Sequence, residues 1–564
     1  MQKRTIIKFC GLLIFFSALG LVQVRVFYNP GQLFVGYDLL FHLNRIHGLT
    51  EVLINDQFPF YISPHFLAGY GYASNWFYSD LPLLPASIMS LLGLELVSMY
   101  KLYLIMITAL TGLSMYYCTS KITQNDKIAL LAATIYVLSN YRFVNLFIRS
   151  ALGEALAFII LPFVLYGLYE LLFNDERKWY ILTFSFTALL FTHILSTLLA
   201  FTLLTVICIF NYKRFIENPK RLINLFFSGA VSIFTAAFFL FPFIEQAFTH
   251  TYWFSENPIF HPSGFTLSWS GILHGLFFNT IARFGERYFG LGITMVFPLV
   301  LVLFFFKRTD SQNMRIAKFF TLLSLPMIFM VSNWFPWQII PIIDVIQFPW
   351  RLYGIVTLLL SISGAIYISE LKLPKYSFFP ILSIIVIGSI TTTFLGFSRW
   401  DLENRSIIYN RESTFTVENS FHIGIGNEYL PIELSPGFIL HRNNVLRISY
   451  NPEITTIHSF NRNANTTIII FSSSENDTFE LPLVYYVGYR AFLNGSEISV
   501  HNGVDSLVVV EIFAGSDSEL KIVYYGTTIQ RVSLIVSLVS TLLLVIHCVR
   551  LSKKIRQNKT IEIE

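Results

Sequence analysis

The sequence predicts a polytopic α-helical membrane protein with a β-sandwich domain near its C-terminus. Three observations lead there. Of the 564 residues, 54% are hydrophobic and only 13% charged, with a mean hydropathy of +0.59; a soluble protein carries about 25% charged residues. Long apolar runs recur along most of the chain, separated by short loops of which every second one is basic. From residue 398 to 525 the pattern changes, and Thr, Val, Ile and Tyr alternate with polar residues between turn dipeptides.

With about 20 apolar residues as the length of a span, about twelve membrane segments are expected. They fall near 5–25, 95–119, 127–145, 151–173, 178–193, 194–211, 222–246, 289–306, 316–332, 352–369, 377–397 and 528–551. The first run, 5–24, has no small-residue cleavage site and reads as a retained helix. The run 179–212 is long for one span and short for two, so two short helices should meet at Thr192-His193. The loops MQKR, KITQNDK, NDERK, NYKRFIENPKR, KRTDSQNMR, ELKLPK and SKKIRQNK all fall on one side. The positive-inside rule makes that side cytoplasmic, with both ends of the chain there.

Four segments then lie outside: 35–82, 140–154, 249–288 and 332–351. Prolines 336, 341 and 349 forbid a regular helix through the last, which reads as a re-entrant or surface loop. In the C-terminal region FLNGSEISV reads as strand, turn, strand, and Asn494-Gly495 and Asn502-Gly503 both favour tight hairpin turns. The expected organisation is a membrane domain over 1–397 with a large first outer loop, 26–81. An extracytoplasmic β-sandwich over 398–527 follows, then a final helix with a basic cytoplasmic tail, 528–564.

The net charge of +5 sits in the short loops, so nucleic acid is not an expected partner. Cys10, Cys118, Cys208 and Cys548 lie in or beside apolar segments, with no disulfide framework and no zinc spacing. No P-loop, dinucleotide fingerprint or nucleophile elbow is present. Nucleotide chemistry is unsupported, no cofactor is identified and no metal ligands are assigned.

The chemistry-bearing residues concentrate in the outer segments. Asp38, His42 and Arg45 fall at i, i+4 and i+7 in VGYDLLFHLNRIHGL and would share one helix face. A partly buried Asp38 would have a raised pKa and suit a general base; equally, it could cap a helix. His42 could orient it or contact a phosphate, or be a polar tip at the interface. Asp80, in FYSDLPLLP, is a second acidic candidate, although Ser79 or Asp80 could instead cap the helix beginning near Pro82. Arg149 and Glu154 lie five residues apart, a poor spacing for helix neighbours, so either could reach elsewhere, Arg149 to a phosphate. Arg351, after the turn QFPW, is a phosphate ligand or a snorkelling side chain. His193 reads as a buried structural histidine.

The runs GYDLLFHLNRIHGL, FPFYISPHFLAGYGYASNWFYSDLPLLPA and RSALGEALAFIILPFVLYGLYEL resemble a bacterial polytopic family labelled "6-pyruvoyl-tetrahydropterin synthase-related membrane protein". TFSFTALLFTHILST, IDVIQFPWRL and GNEYLP do so too, and LPLVYYVGYRAFLNG is similar to the close of the related YfhO-type membrane proteins. The pterin-synthase histidine cluster is absent. The resemblance covers nearly the whole chain and implies a GT-C-like glycosyltransferase of the bacterial cell membrane. Its donor would be a polyprenyl-phosphate-linked sugar and its acceptor a cell-envelope polymer or glycan. It implies Asp38 as the acidic residue of the first loop and general base. Around it, His42, Asp80, Arg149, Glu154, His193 and Arg351 are the candidate substrate-binding residues. No Asp-x-Asp or Glu-x-Asp accompanies Asp38, which leaves metal dependence open. The competing readings are a transporter or lipid flippase, which twelve helices would suit, and a non-enzymatic envelope assembly protein.

Overall fold

The computed structural model describes residues 2–55, 61–256, 261–277, 290–307, 311–339, 346–371, 373–396, 406–424, 427–434, 436–441 and 446–561. Parts of the predicted loops 249–288 and 332–351, the start of the β region at 398–405, and Gly426 of GNEYLP lie outside the described residues.

Among the described residues, six helices are long and apolar enough to cross a membrane: Arg4–Phe27, Leu96–Thr123, Leu152–Phe173, Gln312–Val331, Pro349–Glu370 and Thr528–Lys553. Two bent pairs, Asp126–Val137 with Asn140–Ile148 and Lys220–Thr235 with Ala237–Thr249, bring the number to eight if each pair is one span. Among the described residues this is a membrane protein with six to eight candidate spans, where the apolar runs suggested about twelve. The other expected segments are shorter helices, Tyr180–Thr192, Ile194–Phe210, Ile293–Phe305 and Phe378–Thr393. Thirteen residues of helix rise only about 20 Å, less than the roughly 30 Å hydrocarbon layer. The first two of these meet at His193, whose φ of −162° is extended, where the sequence placed the break.

The chain divides into two compact units, each discontinuous in sequence. One comprises Met1–Leu39, Val97–Ser232 and Phe260–Tyr409; the other comprises Leu40–Leu96, Ile233–Ile259 and Asn410–Glu564. The sequence drew three consecutive segments instead. Composition marks where apolar runs stop, not which segments share a core.

In the first unit the helix Pro349–Glu370 is central: 89% of its span is buried, against 17% for Arg4–Phe27. Small residues let its neighbours approach. Ser363 Oγ donates to the Ala317 carbonyl at 3.0 Å, and a Cβ on Gly364 would sit 3.3 Å from Pro298. The pair Asp126–Val137 and Asn140–Ile148 bends by 46°, because Ser139 between them is extended (ψ 141°). Beyond the bend the chain widens into a π-helical turn, Val144–Ile148, and Ser150 takes a left-handed φ of +55°. Strand β1 (Leu33–Phe34) pairs antiparallel with β2 (Ile407–Ile408), extended by Val35 N donating to the Ser406 carbonyl at 2.9 Å.

The second unit holds β3 (Thr455–Asn463), β4 (Thr466–Ser473), β5 (Asp477–Val484), β6 (Tyr489–Leu493), β7 (Ser496–Ile498), β8 (Val500–Asn502), β9 (Leu507–Ile512) and β10 (Gly515–Tyr524). They form a five-stranded sheet, β3-β4-β10-β6-β7, and a three-stranded sheet, β5-β9-β8. Ile469, Phe471 and Leu520 of the first meet Phe479, Val508 and Val510 of the second in one apolar core, so the region is a two-layer sandwich. Asn494 and Gly495 both have positive φ, +47° and +83°, and close the β6–β7 hairpin with Leu493 opposite Ser496. The other expected tight turn is longer. Gly503 N donates to the Leu507 carbonyl at 2.9 Å across a loop over 503–506, and Ser506 takes the positive φ.

The sandwich strands begin at Thr455, well inside the expected 398–527. Upstream residues pack instead with the first loop. Phe66, Tyr70, Tyr72 and Trp76 share a second core with Tyr252, Ile423, Leu430, Tyr486 and Tyr524. Val484 N donates to the Tyr70 carbonyl at 3.0 Å, and Tyr72 Oη donates to the Ile423 carbonyl at 3.1 Å.

Candidate functional site

The site in the first unit starts from a close approach of two chain segments. Gly36 lies against the turn after the π-helix: a Cβ there would fall 2.2 Å from Ser150 Oγ and 3.0 Å from the Ile148 carbonyl. Only glycine fits. The contact lets Asp38 N donate to the Arg149 carbonyl at 2.8 Å, which fixes Asp38 just ahead of the helix Leu39–Ile54.

Glu154, in the first turn of the helix Leu152–Phe173, is the anchor of the charges around it. Its Oε1 takes Arg149 Nη1 at 3.0 Å and Arg351 Nε at 2.8 Å, and its Oε2 accepts from Tyr141 Oη at 2.8 Å. Arg149 Nη1 also donates to Asn145 Oδ1 at 2.8 Å. Arg351 Nη1 donates to Gln347 Oε1 at 2.7 Å and to the Ile346 carbonyl at 3.0 Å, and its guanidinium lies 4.9 Å from the Phe348 ring centre. Gln347, like Ser150, has a positive φ, +58°. Two strained non-glycine residues and a π-helical turn thus flank this charge cluster, a concentration that often accompanies function.

Asp38 is different. It is half-buried, and its carboxylate has no hydrogen-bond or ion-pair partner among the described residues. Burial pushes its pKa up from the ordinary value; Arg149 pulls it back, Glu154 adds to the rise, and Arg351 opposes it. Two arginines are fastened to one carboxylate, and a second, unfastened carboxylate lies within their field. A narrow cleft adjoins the cluster, lined by Glu154, Arg351 and Ser196 together with apolar Phe158, Leu161 and Leu199.

No family model matches this sequence. Over 349 residues, 60% of the chain, it is 23% identical to an uncharacterized protein of Lactococcus lactis subsp. cremoris (strain MG1363). The match spans 55% of that protein's length.

The expected site residues separate into groups. Arg149, Glu154 and Arg351 come together in the first unit. The five-residue spacing of Arg149 and Glu154 proves no obstacle, because Arg149 precedes the helix and Ser150 turns the chain back. Arg351 faces Glu154 rather than snorkelling away. His193 caps the helix Ile194–Phe210, its Nδ1 accepting from Ser196 N at 3.2 Å, and it lies within the electrostatic reach of Glu154.

His42 and Asp80 belong to a group in the second unit whose hub, Arg45, the sequence did not single out for a role. Arg45 Nε donates to Asp80 Oδ1 at 2.7 Å, and its Nη2 donates to the carbonyls of Tyr78 and Ser79 at 2.7 and 2.9 Å. Its Nη1 lies 3.2 Å from His42 Nδ1, and the Tyr78 ring covers the guanidinium at 4.1 Å. All three ionisable side chains are at most 2% exposed. Asp80 does not cap the following helix; Ser79 Oγ accepts from Leu81 N at 3.3 Å. Asp38 does not complete the helix-face trio, since the helix begins one residue after it. Sequence reasoning also passed over Tyr141, Asn145 and Gln347. Their only signal was polarity within the outer segments 140–154 and 332–351.

Proposed function

We propose that the chain is a membrane glycosyltransferase of the GT-C type, taking sugar from a polyprenyl-phosphate donor and passing it to a hydroxyl of a cell-envelope acceptor. The observation that carries the reading is Asp38: a half-buried carboxylate, unpaired among the described residues, beside two anchored arginines. Asp80 and Glu154 are both committed to arginines, which leaves Asp38 as the acidic candidate free to exchange a proton. Asp38 accepts the proton of the acceptor hydroxyl as its oxygen bonds to the anomeric carbon. The bond from that carbon to the phosphate oxygen breaks, and polyprenyl phosphate departs with the electron pair. Configuration inverts. Arg149 and Arg351 supply positive potential where phosphate charge develops. The mixed charged and apolar lining of the cleft suits a phosphate joined to a prenyl chain. Both chain ends cytoplasmic and the sandwich outside complete the proposed topology; the sandwich then holds the envelope acceptor.

The test is transfer of labelled sugar from a polyprenyl-phosphate donor in membranes carrying wild type or Asp38→Asn at matched expression. Loss of about 10²–10⁴-fold in rate is expected for removal of a general base. Undiminished transfer by Asp38→Asn excludes this role for Asp38. No transfer by the wild type, with lipid or solute moved across the bilayer instead, favours a flippase or transporter.

A further inference from the structure

A separate cluster in the second unit takes no part in that chemistry. His47 and Glu51 stand at i and i+4 on the helix Leu39–Ile54, and their side chains meet, Nε2 to Oε1, at 3.3 Å. His65 comes from the loop that returns over the helix. Its approach depends on Gly48, where a Cβ would fall 1.9 Å from Ser63 Oγ. Ser63 is itself fixed by a reciprocal pair of backbone bonds with Tyr72, 2.9 and 3.0 Å. The rings of His47 and His65 lie 4.5 Å apart at 81°, and Phe415 stacks on His47 at 4.0 Å.

We propose that His47, Glu51 and His65 bind a divalent transition-metal ion, zinc by ligand chemistry, with a fourth position left to water. Two imidazoles and one carboxylate are a zinc ligand set. One ligand atom from each residue lies within 4.8 Å of the others. A tetrahedral ion with bonds of about 2.0–2.1 Å needs roughly 3.3 Å between ligand atoms, so one pair is already at that spacing and side-chain rotation closes the rest. His47 Nδ1 and His65 Nε2 are buried and have no hydrogen-bond partner among the described residues, a cost that coordination would remove at His65. Burial, and for His47 also His65 and Arg411, lowers the pKa values to about 3 for His47 and about 4 for His65, so both rings are neutral as ligands must be. Glu51 is 36% exposed, which gives an ion a way in. Arg411 and Arg462 act on Glu51 and limit the affinity for a dication. The ion would tie the helix to the returning loop and is independent of Asp38.

The purified, tag-free full chain, stripped with chelator, is titrated with Co²⁺, and Zn²⁺ is then added. One Co²⁺ per chain is expected, with the visible absorption of a four- or five-coordinate ion that Zn²⁺ abolishes. His65→Asn and Glu51→Gln should each weaken binding by at least about tenfold, while His458→Asn, an exposed histidine of β3, leaves it unchanged. Glu51→Gln, at a part-exposed side chain, carries the test if His65→Asn does not fold. Absence of the absorption up to millimolar Co²⁺, or wild-type affinity in a folded ligand variant, overturns the proposal.

Discussion

Glu154 and Asp38 stand in the field of the same two arginines, and the difference between them is whether they are tied. Glu154 is 6% exposed and holds three partners, so its charge is a fixed part of the scaffold. Asp38 must be ionised to accept a proton, and its pKa is raised. The acid limb of the rate profile should therefore lie at higher pH than for an ordinary aspartate. Glu154 contributes to that rise, whereas Arg149 and Arg351 oppose it. Glu154→Gln removes the like charge and frees both arginines to attract Asp38. Both effects lower the Asp38 pKa, so the acid limb of sugar transfer should move to lower pH even if the maximal rate falls. A rate profile for Glu154→Gln that stays in place, or moves up, would separate Asp38 from the titrating group. The Arg45–Asp80 pair shows the other use of such residues. With every Arg45 nitrogen in contact with a named polar atom, its part in the fold is that of a buried clamp.

The position of Asp38 is decided by a backbone element, the turn that runs from the π-helix through Ser150. Gly36→Ala forces a Cβ to within 2.2 Å of Ser150 Oγ and 2.9 Å of Ser150 Cβ, so the two segments must part. Overpacking of this kind costs about 1–3 kcal/mol, and a displacement of about 1 Å at a catalytic group costs on the order of 10²-fold in rate. Ser150→Gly removes both clashing atoms and suits the φ of +55°, so alone it should change stability by no more than about 1 kcal/mol. The pair Gly36→Ala with Ser150→Gly should recover part of the lost transfer, the residual contact being the Ile148 carbonyl at 3.0 Å. Gly36→Ala with full activity, or a double variant no better than the single, would show that this approach does not set Asp38. The same element marks how far the sequence could be read. Asp38 was legible because a carboxylate in a short polar stretch beside an apolar run is conspicuous. The Arg149–Glu154 pair was hidden, since a π-helical turn and a left-handed serine have no dependable residue pattern, and helical spacing gave the wrong neighbours. Asn494-Gly495 was legible because both residues accept positive φ; at Asn502-Gly503 the asparagine stays in β8 and Ser506 takes the left-handed position instead.

At the scale of the second unit, two apolar cores stand side by side, and they predict different responses to damage. Phe471 lies in the sandwich core, packed against Phe479 at 5.0 Å. Trp76, from the first loop, lies in the other core against Tyr486 at 5.0 Å and Tyr524 at 5.6 Å. Sequence patterning found the sandwich, whose alternation repeats strand by strand, but not the second core, whose parts come from the first loop, from Tyr252 and from residues beyond Ile423, with no shared periodicity. Either Trp76→Ala or Phe471→Ala should cost about 3–5 kcal/mol locally. If the cores are distinct cooperative units, hydrogen exchange will place the losses apart. Trp76→Ala should speed exchange at 61–77 and at the Val484 amide that bonds to that loop, while β3 and β4 stay protected. Phe471→Ala should release β4, β5 and β10 and leave Ser63 and Tyr72 paired. Uniform loosening of the whole unit by both variants would mean one cooperative body. The first loop would then depend on the sandwich for its shape, and a substitution deep between the sheets would weaken the His47–Glu51–His65 cluster without touching it.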